Sequence, residues 1–308
     1  MRAFIFPGQG SQAVGMGAAL AAASRAAKDV FDEVDEALGQ NLFRLMREGP
    51  EEELKLTENA QPAIMAHSIA VLRTLGVKLD DVASFVAGHS LGEYSALCAA
   101  GSFDLSNTAK LLKLRGQAMQ AAVPVGQGAM CALLGADLEL ARKIAEAAAQ
   151  GEVCAVANDN DPSQVVLSGA KAAIDRAVEM AKDMGAKRAV PLPVSAPFHC
   201  PLMQPAADAM QDALSYVVVQ EPAVPVFANV TAQPESDPDT IRNQLVEQVT
   251  GMVRWRESVA NMFEAGVDEF VEIGGKVLGS MVKRIAPDVK VTSVVTIEDV
   301  EALAKEIA

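Results

Sequence analysis

The stretch "FVAGHSLGEYSALCAA", residues 85–100, predicts a strand, a tight turn and a helix in direct succession. Its β-branched and aromatic run ends at Gly88, and the apolar residues after Gly92 continue to a helix stop at Gly101. Between the first two glycines, Ser90 is the centre of a G-x-S-x-G motif, whose sharp turn exposes the serine hydroxyl at a helix N-terminus. Ser90 is therefore a candidate nucleophile, and the simpler alternative is that it only caps the helix.

A nucleophilic serine also needs donors for the oxyanion that forms on the acyl carbon. The backbone N–H of Leu91, at the N-terminus of the predicted helix, points toward that position. The turn "PGQGSQ", residues 7–12, follows a predicted opening strand, "RAFIF". Because this turn lacks the GK[ST] sequence of a phosphate-binding P-loop, we assign the backbone N–H of Gln9 as a second oxyanion donor.

The chain offers 3 histidines as a base for the serine. His67 falls in the apolar segment "QPAIMAHSIAVLRTLG", predicted as a helix with Pro62 in its first turn, and His89 adjoins Ser90, where neighbouring side chains diverge. His199 lies in "PLPVSAPFHCPL", whose prolines fix successive φ angles, and it is the predicted general base. No histidine follows it, in contrast to the Ser–Asp–His order of α/β-hydrolases. Either a dyad suffices, or a backbone carbonyl or amide orients the imidazole.

Arg115 stands out by its position in the predicted helix "SNTAKLLKLRGQAMQAA". The apolar residues of this segment form one stripe, and Arg115 falls in the middle of it. A buried guanidinium without a counter-ion is strongly destabilising. We therefore expect Arg115 to meet an anion, which is either a protein carboxylate or a carboxylate of the substrate.

The order of predicted elements indicates a small unit inserted into a larger one. Residues 127–196 contain strand, helix, strand, strand, helix and strand, the βαββαβ order of ferredoxin-like domains. Residues 1–126 and 197–308 alternate strand and helix, which predicts a core with a mostly parallel sheet covered by helices. The expected fold class is α/β.

Composition narrows the possible partners and the compartment. The 40 Asp and Glu outnumber the 26 Lys and Arg, giving a formal net charge of −14, which disfavours nucleic acid as a partner. The four cysteines show neither CxxC nor zinc spacing, so we predict no metal site and a cytoplasmic setting. The sequence shows no signal peptide and no uninterrupted apolar stretch that would predict a membrane span.

Several motifs together resemble one enzyme family over nearly the whole chain. The chain is similar to the malonyl-CoA:acyl carrier protein transacylases of type II fatty acid synthesis in "FPGQGSQ", "TENAQPA", "GHSLGE", "KLRGQAM" with Arg115, "ANDN" followed by "QVVLSG", and "APFHC". This resemblance implies a hydrolase-like α/β core that carries a ferredoxin-like insert.

The resemblance also implies a role for each candidate site residue. Ser90 matches the acyl-accepting nucleophile and His199 the general base of the family. Gln248 matches the residue whose main-chain carbonyl orients the histidine. The remaining matches are Gln9 and Leu91 as oxyanion donors, Arg115 as the partner of the malonyl carboxylate, Phe198 as a residue that disfavours a 2-methyl branch, and His89 and Asn158 as binding positions.

The implied reaction is ping-pong transfer of malonyl from malonyl-CoA to Ser90, and then to the phosphopantetheine thiol of acyl carrier protein. The resemblance implies no metal or redox cofactor and a monomeric enzyme. The carrier protein is acidic in this family, which favours a local basic patch for docking. Candidate positions are Lys187, Arg188, Lys276, Lys283 and Arg284. The alternatives are a serine hydrolase or thioesterase with the same turn, and a non-catalytic module that binds the carrier.

Overall fold

The computed structural model describes residues 1–307, which contain ten strands and fifteen α-helices. The strands are β1 Arg2–Phe6, β2 Phe85–Gly88, β3 Gly128–Leu134, β4 Cys154–Asp161, β5 Gln164–Ala170, β6 Arg188–Pro191, β7 Val226–Phe227, β8 Pro234–Glu235, β9 Glu269–Ile273 and β10 Lys290–Val294. The helices are α1 Ala18–Ala23, α2 Arg25–Leu38, α3 Leu42–Glu48, α4 Glu51–Leu54, α5 Thr57–Leu75, α6 Leu79–Val82, α7 Leu91–Ala99, α8 Leu105–Ala121, α9 Leu138–Ala149, α10 Lys171–Met180, α11 Gln204–Ser215, α12 Pro238–Thr250, α13 Trp255–Glu264, α14 Leu278–Ile285 and α15 Ile297–Ile307.

The larger sheet has the order β10-β9-β1-β2-β7-β8, and all of its pairs are parallel except β7 with β8. Its central strand β1 is buried on both faces, since Phe4 and Phe6 pack into one hydrophobic core while Ala3 and Ile5 pack into another. The mostly parallel sheet predicted from the alternation of strands and helices is therefore confirmed. Phe6 pairs with Gly88, so the turns after β1 and β2 leave the sheet side by side.

The smaller sheet has the order β4-β5-β3-β6, and every pair in it is antiparallel. Along the chain its elements follow the order β3-α9-β4-β5-α10-β6. Helices α9 and α10 cover one face and enclose a separate core, in which Leu133, Ile144 and Leu167 are buried. The chain thus combines a mostly parallel sheet and an antiparallel sheet in one α/β fold.

A seam of polar contacts joins β4 of the smaller sheet to helices that cover the larger one. The backbone of β4 bonds to Val253, with Val253 N–H donating to Ala157 O at 2.8 Å and Asp159 N–H donating to Val253 O at 2.9 Å. Asp159 pairs with Arg256 on α13 at 2.8 Å. These contacts hold the C-terminal half of β4 against the larger sheet's helices.

Helix α5 begins earlier than the sequence predicted. Pro62 was expected in its first turn, but the helix starts at Thr57, and Pro62 lies inside it. The five preceding residues still form helix, because the first turn is closed by the N–H groups of Asn59 and Ala60, which donate to Leu56 O without involving Pro62. No helix within residues 1–307 combines the length and apolarity needed to cross a membrane.

Candidate active site

Ser90 occupies the turn between β2 and α7 in a strained backbone conformation. Its φ is 54°, in the region that non-glycine residues rarely adopt. The two flanking glycines make this turn possible because a Cβ on Gly88 would lie 1.9 Å from the Gly92 carbonyl, and a Cβ on Gly92 would lie 2.3 Å from Phe6 O. The strand–turn–helix prediction at Ser90 is confirmed by this geometry. The serine side chain makes no capping bond to α7, so the capping alternative does not describe it.

The Ser90 hydroxyl is hydrogen-bonded to the predicted base. His199 Nε2 lies 2.7 Å from Ser90 Oγ, and His199 Nδ1 lies 2.8 Å from the main-chain oxygen of Gln248. The carbonyl accepts from Nδ1–H, which leaves Nε2 unprotonated and facing the serine. Burial, together with the charge of Arg115, lowers the pKa of His199 to about 3, so the imidazole is neutral near pH 7. A backbone carbonyl therefore orients this histidine, one of the alternatives left open by the sequence.

Two backbone N–H groups near the serine, those of Leu91 and Gln9, are free to receive an oxyanion, whereas two of their neighbours are not. The N–H of Ser90 itself donates to Asn229 Oδ1 at 2.8 Å, and that of Gly92 donates to His89 O at 2.9 Å. Leu91 is the first residue of α7 and has no intrahelical acceptor. No residue within 1–307 accepts from the N–H of Leu91 or of Gln9. This arrangement leaves available the two donors that the sequence predicts.

Arg115 is 1% exposed and touches the nucleophile. Its Nη2 donates to Ser90 Oγ at 3.1 Å and to Gln248 Oε1 at 2.8 Å, and its Nη1 donates to Gln61 Oε1 at 2.8 Å. In the described part of the chain no carboxylate forms an ion pair with this guanidinium, and its Nε has no hydrogen-bond partner. A protein carboxylate, one of the two anions expected from the sequence, therefore does not contact Arg115 directly; Glu93 acts on it only through the intervening space, and the guanidinium faces the serine.

A cavity of about 530 Å³ opens over these groups. Its apolar wall includes Leu91, Phe198, Met119 and Met130, while Asn158 on β4 contributes a polar side chain. One side of the cavity therefore comes from the elements of the larger sheet and the other from the smaller sheet. The lining also includes Gln9, Gln61, His89, Ser90, Arg115 and His199.

His89 lines the cavity, but its ring is hydrogen-bonded to Asn160 and not to the Ser90 hydroxyl. Its Nε2 lies 2.8 Å from Asn160 Oδ1, and its ring packs 5.8 Å from that of Trp255. Burial lowers the pKa of His89, so this imidazole is also neutral near pH 7. His89 is thus placed as a neutral wall residue, beside the serine in sequence and bonded away from it.

Comparison with known proteins agrees with this geometry. Residues 3–294 match the family model described as the acyl transferase domain. The malonyl CoA-acyl carrier protein transacylase of Escherichia coli strain K12 is 46% identical over 284 residues, 92% of this chain and 92% of the relative. This chain belongs to the malonyl CoA-acyl carrier protein transacylase family.

Solved structures of the transacylase family have the same fold. The acyl-carrier-protein-S-malonyltransferase of Bartonella henselae is 52% identical with a TM-score of 0.97, covering 99% of each chain. A malonyl-transacylase in complex with a type II PKS acyl-carrier protein is 42% identical with a TM-score of 0.95, again covering 99% of each chain. A transacylase similar to this chain is therefore known in complex with a carrier protein.

The structure brings all the predicted transacylase residues to one place and adds three that sequence reasoning missed. Gln61 holds the Arg115 guanidinium, Asn229 holds the Ser90 N–H, and Asn160 holds the His89 ring. Gln61 lies in "TENAQPA", so a signal for it was present. Asn160 likewise lies in "ANDN". Asn229 had no signal, because an amide in a loop has no characteristic spacing.

Proposed function

We propose that this protein transfers malonyl from malonyl-CoA to the phosphopantetheine thiol of acyl carrier protein through a malonyl ester of Ser90. One observation carries the proposal: the Ser90 hydroxyl lies within hydrogen-bond distance of both a neutral imidazole and a guanidinium without a counter-ion. The first group can take the serine proton, and the second can bind the free carboxylate of a malonyl group. The names of the relatives support the same reaction.

In the proposed mechanism, Ser90 Oγ attacks the thioester carbonyl while His199 Nε2 takes its proton. The negative charge that develops on the carbonyl oxygen is stabilised by the N–H groups of Leu91 and Gln9. The intermediate then collapses and expels the CoA sulfur, which receives the proton from His199. The carrier thiol repeats these steps in reverse order, and no metal or redox cofactor takes part.

In this scheme the pKa of His199 depends on whether the charge of Arg115 is compensated. In the free protein the guanidinium charge helps to lower the pKa of His199. When the malonyl carboxylate pairs with Arg115, that charge is compensated, and the imidazolium formed during attack becomes less costly. The malonyl group thus assists its own transfer, and an acetyl group, which has no carboxylate, does not.

Acyl size is set in this proposal by the cavity wall. Phe198 is 9% exposed and borders the same cavity as Ser90. Its ring occupies space that a 2-methyl branch would need, so we propose selection of malonyl over methylmalonyl. Asn158 and His89, which line the same cavity, are proposed to bind the acyl donor.

The proposed partner is acyl carrier protein. The structure reduces the five basic residues named from the sequence to three stronger candidates for its docking surface. Arg284 is committed to an ion pair with Asp161 at 2.8 Å, and Lys283 donates to the carbonyl of Pro287 at 3.1 Å. All five residues are exposed, but Lys187, Arg188 and Lys276 form no ion pair within residues 1–307 and are therefore the better candidates for an acidic partner.

We further propose the finer architecture and setting that the sequence predicted. The order β4-β5-β3-β6 supports a ferredoxin-like insert over residues 127–196, and the strand–turn–helix at Ser90 supports a hydrolase-like core over residues 1–126 and 197–308. A monomer in the cytoplasm remains our prediction for the working enzyme.

Incubation with malonyl-CoA followed by intact mass measurement tests the proposed function. We expect one malonyl adduct on the protein and none on Ser90→Ala, because the acyl oxygen is lost with the hydroxyl. Ser95→Ala is the matched control, since Ser95 is a buried serine on α7 whose hydroxyl has no partner in residues 1–307. An adduct that persists on Ser90→Ala contradicts the nucleophile assignment.

A second step of the same experiment separates the transferase from the hydrolase alternative. Holo acyl carrier protein is added to the isolated malonyl-enzyme, and malonyl-carrier and free malonate are both measured. Transfer to the carrier faster than release of malonate supports the proposal. Release of malonate at the same rate with and without carrier supports a hydrolase.

A further inference from the structure

Glu93 is a buried carboxylate next to the site that the proposed mechanism does not use. It lies on the first turn of α7 and is 2% exposed. Its Oε2 accepts from the Nε2 of Gln248 at 2.7 Å and from the backbone N–H of Asn229 at 3.1 Å. Two groups that hold the catalytic residues therefore meet at one carboxylate oxygen.

The Gln248 side chain links this carboxylate to Arg115. Its Nε2 donates to Glu93 and to Ser90 O at 3.1 Å, while its Oε1 accepts from Arg115 Nη2 at 2.8 Å. An ionised carboxylate and a carbonyl can only accept, and a guanidinium can only donate. These neighbours permit one orientation of the amide, with nitrogen toward Glu93 and oxygen toward Arg115.

The amide also keeps the two charges apart. If Glu93 paired directly with Arg115, the guanidinium would have its counter-ion and less to gain from a substrate carboxylate. With Gln248 between them, Arg115 is held in place by hydrogen bonds while its charge stays available on the Ser90 side.

We propose that Glu93 is a positioning residue for acyl selection: it fixes the Gln248 amide, and the amide fixes Arg115 toward Ser90. This inference rests on the proposed malonyl transfer and adds a residue that acts on it from outside the cavity. Asn229 is held by the same carboxylate, and its side chain spans from Gly88 O to the Ser90 N–H, so the turn is braced by the same contact.

The surroundings of Glu93 give the inference a second, pH-dependent readout. Burial raises the pKa of the Glu93 carboxyl to about 7, while the bonds from Asn229 and Gln248 and the charge of Arg115 act in the opposite direction. The charged and titratable groups that face it are Arg115 on α8 and Tyr94 on α7, whereas the loop after β7 and α12 contribute neutral amides. As pH falls through 7, the carboxyl gains a proton and becomes a weaker acceptor for Gln248.

The test compares kcat/KM for malonyl-CoA and acetyl-CoA in Glu93→Gln, Gln248→Met and the double variant. A glutamine at position 93 offers both a donor and an acceptor, so the Gln248 amide can turn, and we expect the malonyl-to-acetyl ratio to fall by about tenfold, the value of one hydrogen bond to a charged group. In the Gln248→Met background, Glu93→Gln should change the ratio by less than about twofold, since its effect passes through the amide.

Glu272→Gln is the matched control, because Glu272 is a fully buried carboxylate that accepts only backbone N–H groups at the start of α14. It should leave the ratio unchanged even where stability falls. A ratio in Glu93→Gln equal to that of the unmodified protein, or the same further loss in the Gln248→Met background, overturns the inference.

The unmodified protein supplies a measurement that does not depend on the folding of a variant. Its malonyl-to-acetyl ratio of kcat/KM should fall as pH is lowered through about 7. His199 cancels in this ratio because kcat/KM reports the free enzyme, in which the pKa of His199 is about 3 whichever substrate is added. A ratio that is constant from pH 8.5 to pH 5.5 overturns the inference. If the protein accepts no malonyl group at all, the proposed function itself is wrong, and this outcome is recognised before any variant is made.

Discussion

At the scale of single residues, the acyl preference that we propose depends on Arg115. The guanidinium is buried, is held by two glutamines and a serine, and lacks a carboxylate partner in residues 1–307. Desolvating this charge is costly, and only a substrate that brings a carboxylate compensates the cost. Selectivity therefore comes from an unsatisfied group, and a substrate without a carboxylate leaves it unsatisfied.

Replacing Arg115 with alanine should reduce the malonyl-to-acetyl ratio of kcat/KM by about 10- to 100-fold, the range expected for losing charged hydrogen bonds. Arg25→Ala is the control, since the Arg25 side chain is 88% exposed and does not line the cavity. Steady-state kinetics with both acyl donors give the ratio directly. An unchanged ratio in Arg115→Ala would refute its role in substrate binding.

At the scale of elements, the seam between the two sheets fixes the width of the cavity. Strand β4 carries Asn158 on the cavity wall. Both carboxylate oxygens of the next residue, Asp159, accept from the Nε of Arg256 on α13. The carboxylate is buried and the arginine is partly exposed, with 2% and 35% side-chain exposure. One ion pair thus positions both the strand and a residue of the site.

Asp159→Asn should lower the free energy of unfolding by about 2 kcal/mol, below the usual cost of breaking a buried pair because Arg256 can turn to solvent. Denaturant titration measures the change. Glu139→Gln on α9, a helix that packs on the smaller sheet, is the control, because Glu139 is 78% exposed and its ion pair with Lys143 should contribute little to stability. Equal effects of the two substitutions would show that the seam pair does not hold β4.

The elements themselves could largely be predicted from sequence, whereas their contacts could not. Hydrophobic alternation and glycine stops located β1, β2 and the elements of the smaller sheet, because these signals are local. The start of α5 was missed, since Pro62 suggested a boundary that the helix does not respect. Glu93 lies in "GHSLGE", but its contact with Gln248, like that of Asn229, could not be predicted, because it forms only after three distant segments fold together.

At the scale of the whole molecule, all three histidines have lowered pKa values and are neutral near pH 7, which makes the fold sensitive to acid. His67 and His199 are buried, and His89 is half-buried. His67 is 3% exposed on α5, and burial lowers its pKa to about 4. A histidine whose folded pKa is lowered contributes stability that is fully present above the unfolded value near 6.5 and is lost as pH falls toward the folded value. The protein should therefore lose stability between pH 6.5 and pH 4.

His67→Leu should recover part of that stability. The free energy of unfolding of the variant minus that of the unmodified protein should increase by about 3 kcal/mol as pH is lowered from 7.5 to 4. The substitution also removes Nδ1, a buried nitrogen with no partner in residues 1–307. Unfolding by denaturant at several pH values measures the gain. Met65→Leu, a buried change on the same helix, should shift stability equally at every pH, and parallel curves for the two variants would contradict the assignment.

The close approach of Gly88 and Gly92 limits how this enzyme can diverge. A side chain at either position would overlap backbone atoms of the turn or of β1, so mutation there removes the nucleophile's geometry altogether. Leu91, Phe198, Met119 and Met130 border the cavity with side chains that can be exchanged for others of different size. Relatives that evolve to transfer a different acyl group are therefore expected to keep both glycines and to differ at the apolar residues of the cavity wall. Those apolar positions should then indicate which acyl group a relative transfers.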